Sequence, residues 1–213
     1  MPGRTWQRIT RVDRVNALVR RIPVPAVWGL GLLPLAWLVW QAGTDGLGPD
    51  PVKALEHELG LRSLQVLIAT LCVTPLRWMG LNLLRFRRAL GLLAFTYAVL
   101  HVAVWAGLDM GLRLDEIARD LVKRWYIVVG MLAFAAMVPL AWTSTNAAIR
   151  RMGAARWRRL HQLAYVAAAA AAIHWILLVK AWPTEPLVYG AVVAALLGLR
   201  WLKARGSLPQ PAR

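Results

Sequence analysis

Two histidines are embedded in runs that are otherwise apolar. His101 stands in YAVLHVAVW (residues 97–105) and His174 in AAIHW (residues 171–175). An imidazole in a hydrocarbon-like interior without a partner costs several kcal/mol. Each ring must therefore find a hydrogen-bond partner, ligate something or move protons. A third, His161 in RRLHQLAY, adjoins a basic cluster, and the fourth, His57 in EHELG, belongs to an acidic stretch. Such a charge-flanked histidine is ordinarily a solvated or interfacial residue, whereas an ionisable group inside an apolar span defaults to a functional reading. Cys72 is the one cysteine, so neither a disulfide framework within the chain nor a CxxC redox or zinc motif is available.

These histidines must be positioned by membrane helices. The chain of 213 residues is 59% hydrophobic, with a mean hydropathy of +0.50, more apolar surface than a soluble domain of this length needs. Six apolar segments are legible, at Pro25 to Gln41, Leu59 to Trp78, Ala89 to Leu108, Trp125 to Thr143, Leu160 to Lys180 and Pro186 to Leu202. Each is long enough to cross a core of about 30 Å at about 1.5 Å per residue. Turn-rich stretches such as QAGTDGLGPDP and KAWPTEP separate them. The expected architecture is an all-α, polytopic six-helix bundle over 25–202, between a basic tail at 1–24 and a second tail at 203–213. Arg4, Arg8, Arg11 and Arg14 are spread ahead of the first apolar run and no small-residue cleavage site follows it, so no cleavable signal peptide is expected.

Charge sets the expected orientation. The two tails, the loops at 77–88 and 143–159, and Arg200 near the inner end of the sixth segment account for 19 of the 26 Lys and Arg but only one acid, Asp13. The other loops hold the remaining acids, so every second loop is basic and both termini are expected in the cytoplasm. Trp40, Trp105, Trp125 and Trp182 then fall near the outer interface, and Trp78, Trp142, Trp157 and Trp201 near the inner one. The net charge of +16 is thereby a topology signal whose partner is anionic lipid rather than nucleic acid.

Topology pairs two of the histidines. Spans three and five run the same way, and His101 and His174 follow Arg88 and Arg159 by similar distances, which puts both rings roughly 20 Å above the basic edge. Two imidazoles at one depth on two helices are what a b-type heme needs, one on each face of the macrocycle. His161 lies about 20 Å below His174 on the same span, a spacing that suits a second heme. Against this, the residues between them turn an ideal helix by about 220°, so two hemes would sit on different sides of the span unless the helix departs from ideal winding. The position level with His161 on span three is near Arg88, which cannot ligate iron; Met79 and Met152 belong to inner-side regions, and spacing selects neither. Arg85, Arg87 and Arg88 could meet a flavin phosphate, although orienting the protein explains them as well. Readings as a proton-relay transporter, as a b-type cytochrome serving another acceptor, or as a bundle with satisfied core histidines stay open. All ten acids lie in tails or loops, which counts against a proton relay.

The stretches GLGPDPVKALEHELGLRSLQVLIATLCVTPLR (46–77), RRALGLLAFTYAVLHVAVW (87–105), TSTNAAIRRMGAARWRRLHQLAYV (143–166) and IHW (173–175) resemble the MsrQ (YedZ) family. This family comprises the heme-binding membrane subunits of a bacterial protein-methionine-sulfoxide reductase system, and is grouped with ferric-reductase-like transmembrane domains. The resemblance covers roughly residues 30–200. It implies that His101, His161 and His174 are heme ligands, with b heme and FMN as cofactors. It also implies electron entry from the quinone pool or a cytoplasmic flavin reductase, and exit to a periplasmic, molybdenum-containing MsrP-like partner that repairs oxidised proteins. The expected location is the bacterial inner membrane. The chain has no GxGxxG fingerprint of its own for a nicotinamide donor, so the implied role is that of an electron-transfer subunit without a substrate-transforming site.

Overall fold

A computed structural model describes residues 11–206 apart from 180 and 182. Arg4 and Arg8 of the basic tail, Lys180 at the end of the fifth expected span, Trp182, and the C-terminal tail from 207 onward lie outside the described residues. Those described form helices and turns, with no strand among them. Six helical segments are long and apolar enough to cross a membrane, as expected of a multi-pass membrane protein.

A short helix α1 (Arg11–Arg21) precedes the first of them, α2 (Val24–Gly43). The second, α3 (Pro51–Trp78), starts two turns before the apolar run at Leu59. The Asp50 side chain accepts from the Lys53 amide and Pro51 occupies the first turn, so the start is set by capping rather than by hydropathy. The third segment runs through α4 (Arg87–Val104) and ends in a π-helical turn, Trp105–Asp109. A surface helix α5 (Leu114–Lys123) leads to α6 (Trp125–Trp142), the fourth span. Two short helices, α7 (Asn146–Met152) and α8 (Ala154–Leu160), precede α9 (Leu163–Leu178), and α10 (Thr184–Ala204) completes the bundle. The fifth span is thus not one continuous helix: it breaks into a turn at His161 and Gln162.

Two antiparallel pairs, α3 with α4 and α6 with α9, make the closest packing. On α9 the run of alanines buries Ala167, Ala168, Ala170 and Ala172. Small side chains allow the backbones to approach where hydrophobicity provides no drive between helices in lipid. Polar side chains then fix the register. Ser63 donates to the Ala94 carbonyl at 3.0 Å, Tyr97 to the Gly31 carbonyl at 2.7 Å, and Gln65 to the Tyr189 hydroxyl at 2.7 Å. Arg200, inside α10, donates to the Leu71 carbonyl at 2.5 Å.

Candidate functional site

Helices α3 and α6 begin at the same end of the bundle, where α4 and α9 finish, and between the two pairs lies a cavity of about 410 Å³. That volume falls in the range of cofactor sites, about 300–1,000 Å³. Its inner lining is apolar, with Leu64, Ala98, Phe134, Met137 and Ala171 among the residues. Besides Ser63 and the two histidines, Lys53, Glu56, His57, Asp109, Arg124 and Tyr126 supply polar lining, these six at or beyond the ends of the apolar runs.

His101 and His174 face each other across this cavity, with ring centroids 6.4 Å apart and planes at 74°. Each is held by the helix opposite it within its pair. The His101 Nδ1–H donates to the Glu56 carbonyl at 2.8 Å, and the His174 Nδ1–H donates to the Tyr126 carbonyl at 2.6 Å. A carbonyl only accepts, so Nδ1 carries a proton, and it is the tautomer with a lone pair on Nε2 that this arrangement selects. Fixing the tautomer through the far nitrogen is how proteins orient metal-ligating histidines.

Both walls make room for the ring in the same way. In a regular helix the carbonyl of one residue faces the amide four residues on. Four residues after Glu56 comes Gly60, and four after Tyr126 comes Gly130. A Cβ on Gly60 would stand 3.1 Å from the His101 ring, and one on Gly130 only 2.7 Å from Nδ1 of His174. A side chain at 130 would force the His174 ring to shift, and one at 60 would crowd the His101 ring by a few tenths of an ångström.

The separation fits two ligands sharing one metal. Two metal–imidazole bonds of about 2.0 Å, with about 1.1 Å from each Nε2 to its ring centre, would place the centroids about 6.2 Å apart. No group of three or more His, Cys, Asp or Glu able to hold a bare metal ion occurs among the described residues. Two imidazole nitrogens would therefore suit a metal that brings its other ligands with it, as the iron of a porphyrin does.

The π-helical turn sets the rim. His101, Trp105 and Asp109 all line the cavity. Four residues of α-helix advance about 400°, whereas four of π-helix advance about 330°, so the drift of the first step is reversed by the second. Asp109 thereby returns to the azimuth of His101 and ion-pairs with Lys53 at 2.6 Å. On the other wall Arg124 pairs with Asp120 at 3.3 Å, and its Nη1 donates to the Tyr126 hydroxyl at 3.2 Å. That hydrogen bond raises the Arg124 pKa from its already high value, so the group is a permanent cation.

His161 lies apart from the pair. The cavity lining does not include it, and its ring stacks on Trp157 at 3.8 Å and 28°. The Thr143 hydroxyl donates to the Pro139 carbonyl at 2.6 Å, which leaves its oxygen to accept from His161 Nε2–H at 3.1 Å. The break between α8 and α9 removes the premise of an ideally wound span, on which the 220° offset from His174 was counted. His57 reaches the rim with its ring edge toward Trp175, centroids 5.7 Å apart, although it is exposed. At the basic end Arg85 donates to the Arg20 carbonyl at 2.6 Å, and Arg88 to Asn146 at 2.8 Å. Met79 is exposed.

Residues 26–172 match the family described as ferric reductase like transmembrane component. Curated relatives from Brucella ovis, Brucella canis and Brucella suis, each named protein-methionine-sulfoxide reductase heme-binding subunit MsrQ, are 48% identical over 193 residues. The alignments cover 87% of this chain and 86% of each relative.

Proposed function

The chain belongs to the ferric-reductase-like transmembrane family, among its MsrQ heme-binding subunits, and from that premise we propose that it carries one b-type heme between His101 and His174. Electron transfer is the role this family membership supports. The heme supplies a one-electron carrier of tunable potential. The protein's own residues do the rest. Glu56 and Tyr126 carbonyls hold both Nε2 atoms toward the cavity, Gly60 and Gly130 leave the rings their space, and the apolar lining excludes water. The observation that carries the reading is the 6.4 Å separation of two imidazoles with the same tautomer.

The finer reading follows the charge pattern. The basic end faces the cytoplasm of a bacterial inner membrane and the cavity end faces the periplasm. Electrons enter from the quinone pool or a cytoplasmic flavin reductase, with FMN as a further cofactor. They leave to a periplasmic, molybdenum-containing methionine sulfoxide reductase partner, so the chain supports repair of oxidised proteins. A single heme is the reading the geometry favours, because His161 spends Nε2 on Thr143.

The test is a dithionite-reduced-minus-oxidised spectrum of the protein purified in mild detergent, with pyridine hemochrome quantification. The expected result is a b-type spectrum at one heme per chain. A folded, heme-free protein would overturn the reading and return the histidines to proton transfer or packing.

A further inference from the structure

The two walls of the cavity repeat one layout beyond the histidines. On α3 the order is Lys53, then the Glu56 carbonyl, then Gly60; at the start of α6 it is Arg124, then the Tyr126 carbonyl, then Gly130. Each wall thus sets one cation close in sequence to the carbonyl that fixes its own histidine. Among the described residues, Lys53 and Arg124 are the only Lys or Arg lining the cavity, and both stand at the end where polar groups gather. A heme b carries two carboxylates on one edge, and burying either without a counter-ion is costly. We propose that Lys53 and Arg124 anchor those two carboxylates, one from each wall, so that the cation pair fixes which edge of the macrocycle points out of the membrane.

The rim has donors to spare for this. An ammonium has three protons, and Lys53 directs its bonds at Asp109 (2.6 Å) and Glu56 (3.3 Å). A guanidinium has five; the contacts of Arg124, to Tyr126 and Asp120, both run through Nη1. The acids near the site, Glu56, Asp109 and Asp120, hold the cations in place and compete for them. Charge-assisted hydrogen bonds from a guanidinium or ammonium to a carboxylate are the strong kind, and the half-apolar rim screens them less than bulk water does.

The inference rests on the heme reading, and the experiment separates the two. Protein depleted of heme is reconstituted with heme b and with heme b dimethyl ester, whose carboxylates are masked. Heme loss to an excess of apomyoglobin is then followed for the wild type, Lys53→Gln and Arg124→Gln. The wild type is expected to lose the ester about tenfold faster than heme b, and each variant to lose heme b about tenfold faster than the wild type. The variants should keep a low-spin spectrum, because both histidines remain, and should discriminate less between heme and ester. A wild type that holds heme and ester equally well overturns the anchor, whether or not the variants fold. Variants that match the wild type in both measurements overturn it as well. A wild type that takes up neither compound overturns the heme reading itself, and the anchor with it.

Discussion

The cavity end of the bundle holds the facing pair of histidines within helices and the basic end holds one at a turn between helices, and the two ends use the imidazole in opposite ways. At the cavity end the Nδ1–H of His101 and of His174 is spent on a backbone carbonyl, and Nε2 has no hydrogen-bond partner among the described residues. At the basic end it is Nε2 of His161 that meets a side chain, Thr143, while the ring face is covered by Trp157. The difference lies in the neighbours. A glycine four residues past a carbonyl admits a ring edge-on and leaves its far side bare; a threonine whose own proton is committed to Pro139 captures the ring nitrogen instead. Intramembrane histidine is thus not one kind of signal: a metal-ready imidazole and a packed one differ in which nitrogen is occupied.

The largest effect that tests this contrast is removal of either member of the pair. His101→Ala or His174→Ala is expected to reduce heme content below about a tenth of the wild type, measured by pyridine hemochrome, since each ligand is half of the axial set. Retention of a full bis-imidazole spectrum in either variant would break the pairing. Next comes Gly130→Ala, which forces a Cβ to within 2.7 Å of His174 Nδ1. Its heme affinity should fall by about 10–100-fold, the usual cost of disturbing the group that orients a metal-bound histidine. Gly60→Ala, at 3.1 Å, should cost less, and the reverse order would contradict the close-approach account.

His161→Ala sharpens the other side of the comparison. It removes a hydrogen bond and a ring stack, so the expected result is a lower melting temperature, from a loss of about 1 kcal/mol, with the reduced-minus-oxidised spectrum retained. Loss of a whole heme equivalent in a folded His161→Ala protein would show that the basic end also ligates iron. The smallest effect belongs to His57→Ala: the ring is exposed at the rim, and the spectrum should not change. Equal losses at all four positions would point to misfolding rather than ligation.

The amino-acid sequence by itself settled the six-span, all-helical character of the chain and the matched depth of His101 and His174. Both follow from one-dimensional quantities: the length of apolar runs, the alternation of basic loops, and a constant rise per residue. It also carried the family resemblance through motifs such as YAVLHVAVW. It misplaced the start of α3, because a capped helix continues into water wherever Asp50 and Pro51 permit. It left open whether the fifth span departs from ideal winding, and the turn at His161 and Gln162 supplies that departure. Gly60, Gly130, Lys53 and Arg124 stood out in no pattern, since each matters only through what the opposite helix brings near it. The azimuth of Asp109 depended on a π-helical turn that hydropathy does not report. Tertiary structure alone decided which imidazole nitrogen is free, for that depends on hydrogen-bond partners 45 and 48 residues away along the chain, brought within reach by helix packing.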